Sequence, residues 1–128
     1  MENIRIEATD RSPHIDFDFD KNVFAIKGES YPEDVAAFYG PVLDALEKHL
    51  EEIDGAKIQF DFELIYFNSS TAKVLMGLFE TLDEAAEGGN DVLVTWTFEA
   101  DDDTMEELGE EFAEDLEHAK FEMKKVEG

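Results

Sequence analysis

A chain of 128 residues, 43% of them hydrophobic and eleven of them Phe, carries enough apolar side chains for one packed domain and too many for a disordered segment. Thirty-four acidic residues against ten basic ones give a net charge of −24, and sixteen Asp and Glu fall between Lys73 and Lys120 with no Lys or Arg among them. Such a surface repels phosphate backbones and anionic lipid, which excludes nucleic acid and membrane as partners; the charge then serves solubility, or steers basic patches of protein partners, or both.

The absence of cysteine rules out disulfides, thiolate-zinc sites and thiol nucleophiles. The opening residues Met1-Glu2-Asn3-Ile4-Arg5 are polar and alternating rather than signal-like, and no apolar run reaches membrane-spanning length. The expectation is a single soluble, cytoplasmic domain over residues 1–128.

In chain order, Ile4 and Ile6, then Ile15, Phe17 and Phe19, alternate with polar neighbours as half-buried strands do. Asp20-Lys21-Asn22 is turn material, Val23-Phe24-Ala25-Ile26 is the return strand of a hairpin, and Gly28 is expected to close it. Ser30 and Glu33 have capping-box spacing with Pro32 between them, so a helix is expected from about Pro32 to Glu52, kinked at Gly40-Pro41. Its apolar face is Val35, Phe38, Tyr39, Val42, Leu43, Leu46, Leu50 and Ile53.

Ile58 to Phe67 reads as a long strand, with Ile58, Phe60, Phe62, Leu64 and Tyr66 on one face and Gln59, Asp61 and Glu63 on the other. Strands around Val92–Phe98 and Phe121–Met123 repeat that alternation. Between them, a helix from about Ser70 to Ala86 buries Val74, Leu75, Leu78, Phe79 and Leu82, and Gly88-Gly89-Asn90 ends it. A last helix, from about Thr104 to Glu117, is capped by Asp103 and buries Met105, Leu108, Phe112 and Leu116. The order is β-β-β-α-β-α-β-α-β. Helical connections imply parallel crossovers. The polar second face of the strands places all three helices on one side of a mixed sheet, a two-layer α/β domain.

Most chemical constellations dissolve into structural ones. The acids of Asp16-Phe17-Asp18-Phe19-Asp20 are spaced like a calcium loop, but Lys21 and Lys27 occupy positions that need Gly and Glu. His14, His49 and His118 lack ligand or triad spacing, and there is no phosphate loop, GxSxG or HExxH. Asp61 or Glu63 as an acid/base pair would need a concave pocket that a regular strand does not supply. No enzyme, metal site or cofactor is expected. What remains is Asn68-Ser69-Ser70-Thr71, where a strand meets a helix. These hydroxyls can cap the helix, and they can also accept a phosphoryl group.

Three stretches resemble the SiaC family of bacterial regulatory phosphoproteins, which are related in fold to STAS domains and anti-sigma-factor antagonists. They are Gly28-Glu29-Ser30-Tyr31-Pro32-Glu33, then Leu64-Ile65-Tyr66-Phe67-Asn68-Ser69-Ser70-Thr71-Ala72-Lys73, then Glu87-Gly88-Gly89 before the Trp96 strand. The acidic helix around Glu110-Glu111-Phe112 also fits. The resemblance implies a STAS-like domain that works by partner switching. A Ser/Thr kinase phosphorylates the hydroxyl after the Asn, here Ser69, with Ser70 and Thr71 as alternatives, and a PP2C-type phosphatase restores it. The unmodified form would bind and activate a diguanylate cyclase, promoting cyclic-di-GMP signalling, biofilm formation and aggregation. Tyr31, Asn68, Ser70 and Lys73 are the candidate partner-binding residues, by proximity to that motif. The alternatives are an unphosphorylated STAS-like binding or scaffold module, and an acidic mimic of nucleic acid.

Overall fold

The computed structural model describes residues 3–127. Its elements are β1 (Ile4–Ile6), β2 (His14–Asp18), β3 (Val23–Ser30), α1 (Val35–Glu52), β4 (Lys57–Phe67), α2 (Ser69–Glu87), β5 (Asp91–Glu99), α3 (Asp103–Glu114) and β6 (Lys120–Val126). The six strands lie side by side in chain order. β1, β2 and β3 pair antiparallel, while β3–β4, β4–β5 and β5–β6 are parallel. Each parallel step crosses over through one helix and advances in the same direction. Right-handed crossovers therefore lay all three helices on one face.

That face holds the core. Phe24 and Phe60 stack at 5.8 Å, Phe60 and Phe62 at 4.6 Å, and Phe62 reaches Phe79 of α2 at 5.0 Å. Phe79 stacks on Phe112 of α3 at 4.8 Å, which joins the two helices over Trp96. Each such pair adds about 0.5–1.5 kcal/mol beyond the apolar area it buries. The other face carries Lys27, Gln59, Asp61, Glu63, Thr95, Thr97, Glu122 and Lys124 and has no helix over it.

Four local expectations are corrected. Ser30 and Glu33 form no capping box: β3 runs through Gly28 to Ser30, and Asp34 caps α1 by accepting from the Ala37 amide at 3.0 Å. The Ser30 hydroxyl is buried against Tyr39 and Thr71, so it is not free to cap a helix at Pro32. Gly40-Pro41 lies inside α1 without ending it. α3 is capped by Asp102, whose side chain accepts from Met105 N at 3.1 Å, leaving Asp103 inside the first turn. α3 stops at Glu114, and Asp83 Oδ1 takes up the next free amides, those of Glu117, His118 and Ala119, at 3.1, 2.8 and 2.9 Å.

The fourth correction concerns Tyr66. The pairing of β3 with β4 slips between Gly28 and Glu29, so Gly28 pairs with Leu64 and Glu29 with Tyr66. Ile65 is the extra residue. A bulge shifts the alternation by one. Tyr66 is consequently 51% exposed, next to Ile65, which the alternation already turns outward at 62%, while Phe67 turns inward toward Trp96 and Phe112. Gly28 adopts φ +111° at the slip, a conformation that favours glycine.

Candidate functional site

The carboxyl ends of β3 and β4 and the start of α2 meet at one point. Asn68 leaves β4 with extended backbone, and its Oδ1 accepts from the Thr71 amide at 3.0 Å. Asn68 N–H donates in turn to the Ser30 carbonyl at 3.2 Å. Asn68 is thus a helix cap whose own amide is tied to β3. Ser69 and Ser70, the first two helical residues, are both exposed.

Thr71 behaves differently. It has 0% exposure, and its Oγ1 donates to the Ser30 carbonyl at 3.0 Å. The three hydroxyls that look equivalent in sequence therefore divide into two on the surface and one in the core. The side chain of a residue two beyond an exposed helical position points about 200° around the axis, toward the sheet.

Tyr31 is half-buried, held by its amide to the Arg11 carbonyl at 2.7 Å, and its ring meets Tyr66 edge-on at 5.7 Å. Ile65 borders a small depression of about 140 Å³ lined by Leu64, Phe98 and Val126 with Glu63 and Glu99. The bulge thereby exposes Tyr66, with Tyr31 against it, at the end of the strand that leads into Ser69. Ile65 lies in the motif stretch but is not among the partner-binding residues expected from the sequence. The signal was present in the pair Leu64-Ile65, two apolar residues in succession where strict alternation allows one.

Lys73, exposed, stands one turn below Ser69 at the mouth of a groove of about 190 Å³ between α1 and α2, floored by Leu43, Leu46, Val74 and Leu78. α2 carries no acidic residue in its first turn, in a chain with thirty-four of them. The positive end of the helix is thus uncompensated. Asp61 and Glu63 lie on the open sheet face, Asp61 accepting from Gln59 Nε2 at 3.3 Å. Among the described residues no three His, Asp or Glu converge as a metal-binding group, and no helix is long and apolar enough to cross a membrane.

The model of the SiaC family regulatory phosphoprotein matches residues 6–126. The chain belongs to the SiaC family. It is 34% identical over 116 residues to a protein of Pseudomonas aeruginosa strain UCBPP-PA14, a match that covers 90% of each chain. The crystal structure of apo-SiaC from Pseudomonas aeruginosa superposes with a TM-score of 0.87 at 31% identity, over 97% of this chain and 99% of that one. SiaC in the crystal structure of the diguanylate cyclase SiaD in complex with its activator SiaC gives a TM-score of 0.90 at 30% identity, over 96% and 99%. The SiaC family is described as one of regulatory phosphoproteins, which agrees with a sequence that carries no catalytic signature.

Proposed function

We propose that this SiaC-family chain is a non-enzymatic partner switch of the cytoplasm that activates a diguanylate cyclase when unmodified and releases it when phosphorylated on Ser69. A Ser/Thr kinase adds the phosphate and a PP2C-type phosphatase removes it. One observation carries the reading: Ser69, an exposed hydroxyl at an acid-free helix N-terminus, follows two large apolar side chains exposed at the end of β4, Ile65 and Tyr66. The likeness to SiaC as it occurs with SiaD supplies the class of effector.

A phosphate brings about −1.5 to −2 charges to Ser69. The helix end accommodates it, a gain of about 0.3–1 kcal/mol, so the fold persists. A cyclase packed over Ile65, Tyr66 and Ser69 meets a bulky dianion that it has to desolvate. Every 1.4 kcal/mol or so lost there weakens the complex about tenfold. Thr71 is a poor acceptor, because reaching its hydroxyl means opening the core. Ser70 is exposed, and the family motif rather than burial favours Ser69 over it.

Incubation of the chain with ATP and extract of its host, followed by tandem mass spectrometry, tests the site. Phosphate on Ser69 is expected, and it should be absent from Ser69→Ala but retained in Ser70→Ala. An unmodified peptide across Tyr66–Lys73 would contradict the reading and leave a binding module.

A further inference from the structure

Three buried hydroxyls from three elements meet beneath the exposed first turn of α2. Ser30 ends β3, Tyr39 lies in α1 and Thr71 in α2, with exposures of 0%, 1% and 0%. Ser30 Oγ lies 2.5 Å from Tyr39 Oη and 3.0 Å from Thr71 Oγ1. Each hydroxyl has a single proton to donate. Thr71 gives its proton to the Ser30 carbonyl. Ser30 therefore donates to Thr71 Oγ1, and Tyr39 donates to Ser30 Oγ. Burial pushes the Tyr39 pKa up to about 12, the Ser30 contact lowering it in part, so the phenol keeps its proton at neutral pH.

The chain runs one way: Tyr39 to Ser30 to Thr71 to the Ser30 carbonyl. That same carbonyl accepts from Asn68 N–H at 3.2 Å. One oxygen at the end of β3 thus ties down both Asn68 and Thr71, the residues that flank Ser69 and Ser70.

We infer that this hydroxyl chain positions Ser69 for phosphoryl transfer, with Thr71, Ser30 and Tyr39 as positioning residues that present the acceptor on a formed helical turn. The inference rests on Ser69 being the acceptor. In the transfer, Ser69 Oγ forms a bond to the γ-phosphorus of ATP, the bond from that phosphorus to the bridging oxygen breaks, ADP leaves, and the hydroxyl proton passes to a base of the kinase. Such a reaction depends on alignment of the attacking oxygen, and small displacements are costly. A serine in a loose loop leaves that alignment to the kinase. Here the substrate supplies it, and the kinase docks on a folded surface.

Thr71→Val keeps the branched shape but strands the buried Ser30 hydroxyl and takes one donor from its carbonyl. Initial rates of Ser69 phosphorylation, with the full chain as substrate and host extract plus ATP as kinase source, test the consequence. The maximal rate should fall about tenfold, equivalent to the net worth of one buried hydrogen bond. Apparent KM should stay unchanged, because the exposed docking residues are untouched, and Thr71→Ser should restore the rate. Val92→Ala, at the far end of β5, should lower the melting temperature yet keep the wild-type rate. If Thr71→Val fails to fold, Tyr39→Phe, which removes only the terminal donor, decides the question by the same criterion.

A folded Thr71→Val phosphorylated at the wild-type rate would overturn the inference, and so would a rate loss that Val92→Ala matches at equal melting temperature. Either result leaves Ser69 as the acceptor. Absence of phosphate on wild-type Ser69 overturns the inference together with the reading beneath it.

Discussion

Ser69 lies on the surface, and Thr71, two residues along the same helical turn, has 0% of its surface exposed. The turn is divided between a side that a partner can reach and a side that holds the fold. Changes on the two sides should therefore have different consequences, for partner binding on one and for stability on the other.

Ile65 is exposed by the alternation of β4 and Tyr66 by the bulge, and neither belongs to the buried core. Tyr66→Ala should weaken binding of the diguanylate cyclase about tenfold or more, the scale of a buried aromatic anchor at an interface. Ile65→Asp should act in the same direction, while both leave urea denaturation midpoints near wild type. Surface plasmon resonance reads the affinity. Wild-type binding by both variants would remove this patch from the docking surface.

Ser69 and Lys73 are spaced i and i+4, with the prospective negative charge N-terminal to the cation, the favourable order on a helix. Phosphorylation of Ser69 should therefore raise the melting temperature slightly, through the helix end and through Lys73. In Lys73→Gln that gain should shrink by the equivalent of about 0.2–0.5 kcal/mol. Scanning calorimetry of phosphorylated and unmodified chains measures it; equal gains in both backgrounds would show that Lys73 takes no part.

Gly109 faces Trp96 across the α3–β5 contact. A Cβ there would lie 2.5 Å from Trp96 Cδ1 and 2.8 Å from Nε1, and that same nitrogen donates to the Met105 carbonyl at 2.9 Å. The indole is clamped and cannot retreat without breaking its bond. Gly109→Ala should destabilise the domain by about 1–3 kcal/mol despite the better helix propensity of Ala. Urea unfolding checks this, and a stabilised variant would contradict the packing.

His49 Nε2 lies 2.6 Å from Asn22 Oδ1, and the ring packs edge-on against Phe19 at 5.0 Å. Since Asn22 offers an amide oxygen, Nε2 carries a proton and donates to it. Burial lowers the His49 pKa from 6.5, outweighing Glu52 and Asp20, which raise it. The unfolded chain then binds the proton more tightly, so the contribution of the neutral ring is present above pH 6.5 and fades as pH falls through the folded value. The stability difference between wild type and His49→Gln should narrow as pH falls below 6.5. A His49 pKa above 6.5 by NMR titration would contradict the assignment.

The element order and the one-sided sheet were legible because strict alternation in β2, β3, β4 and β5 and helical spacing in α1, α2 and α3 are repeated, redundant signals. The site was legible as a motif, not as a geometry. Ser30 matched a capping box locally, yet its partners Tyr39 and Thr71 lie nine and forty-one residues away, contacts that no local pattern encodes. Tyr66 kept the right parity from Ile58, but one extra residue in the pairing with β3 reversed its face. The Asp102 and Asp103 caps differ by a single position in a run of three acids, where sequence has nothing to choose between them.

Phosphate at Ser69 should separate the chain from the cyclase without unfolding the chain. Titration calorimetry of the purified diguanylate cyclase with wild type, Ser69→Ala and Ser69→Asp tests it most directly. Ser69→Ala should bind like the unmodified chain, and Ser69→Asp should bind at least about tenfold more weakly while melting at or slightly above the wild-type temperature. Equal affinities for the two variants would contradict the switch.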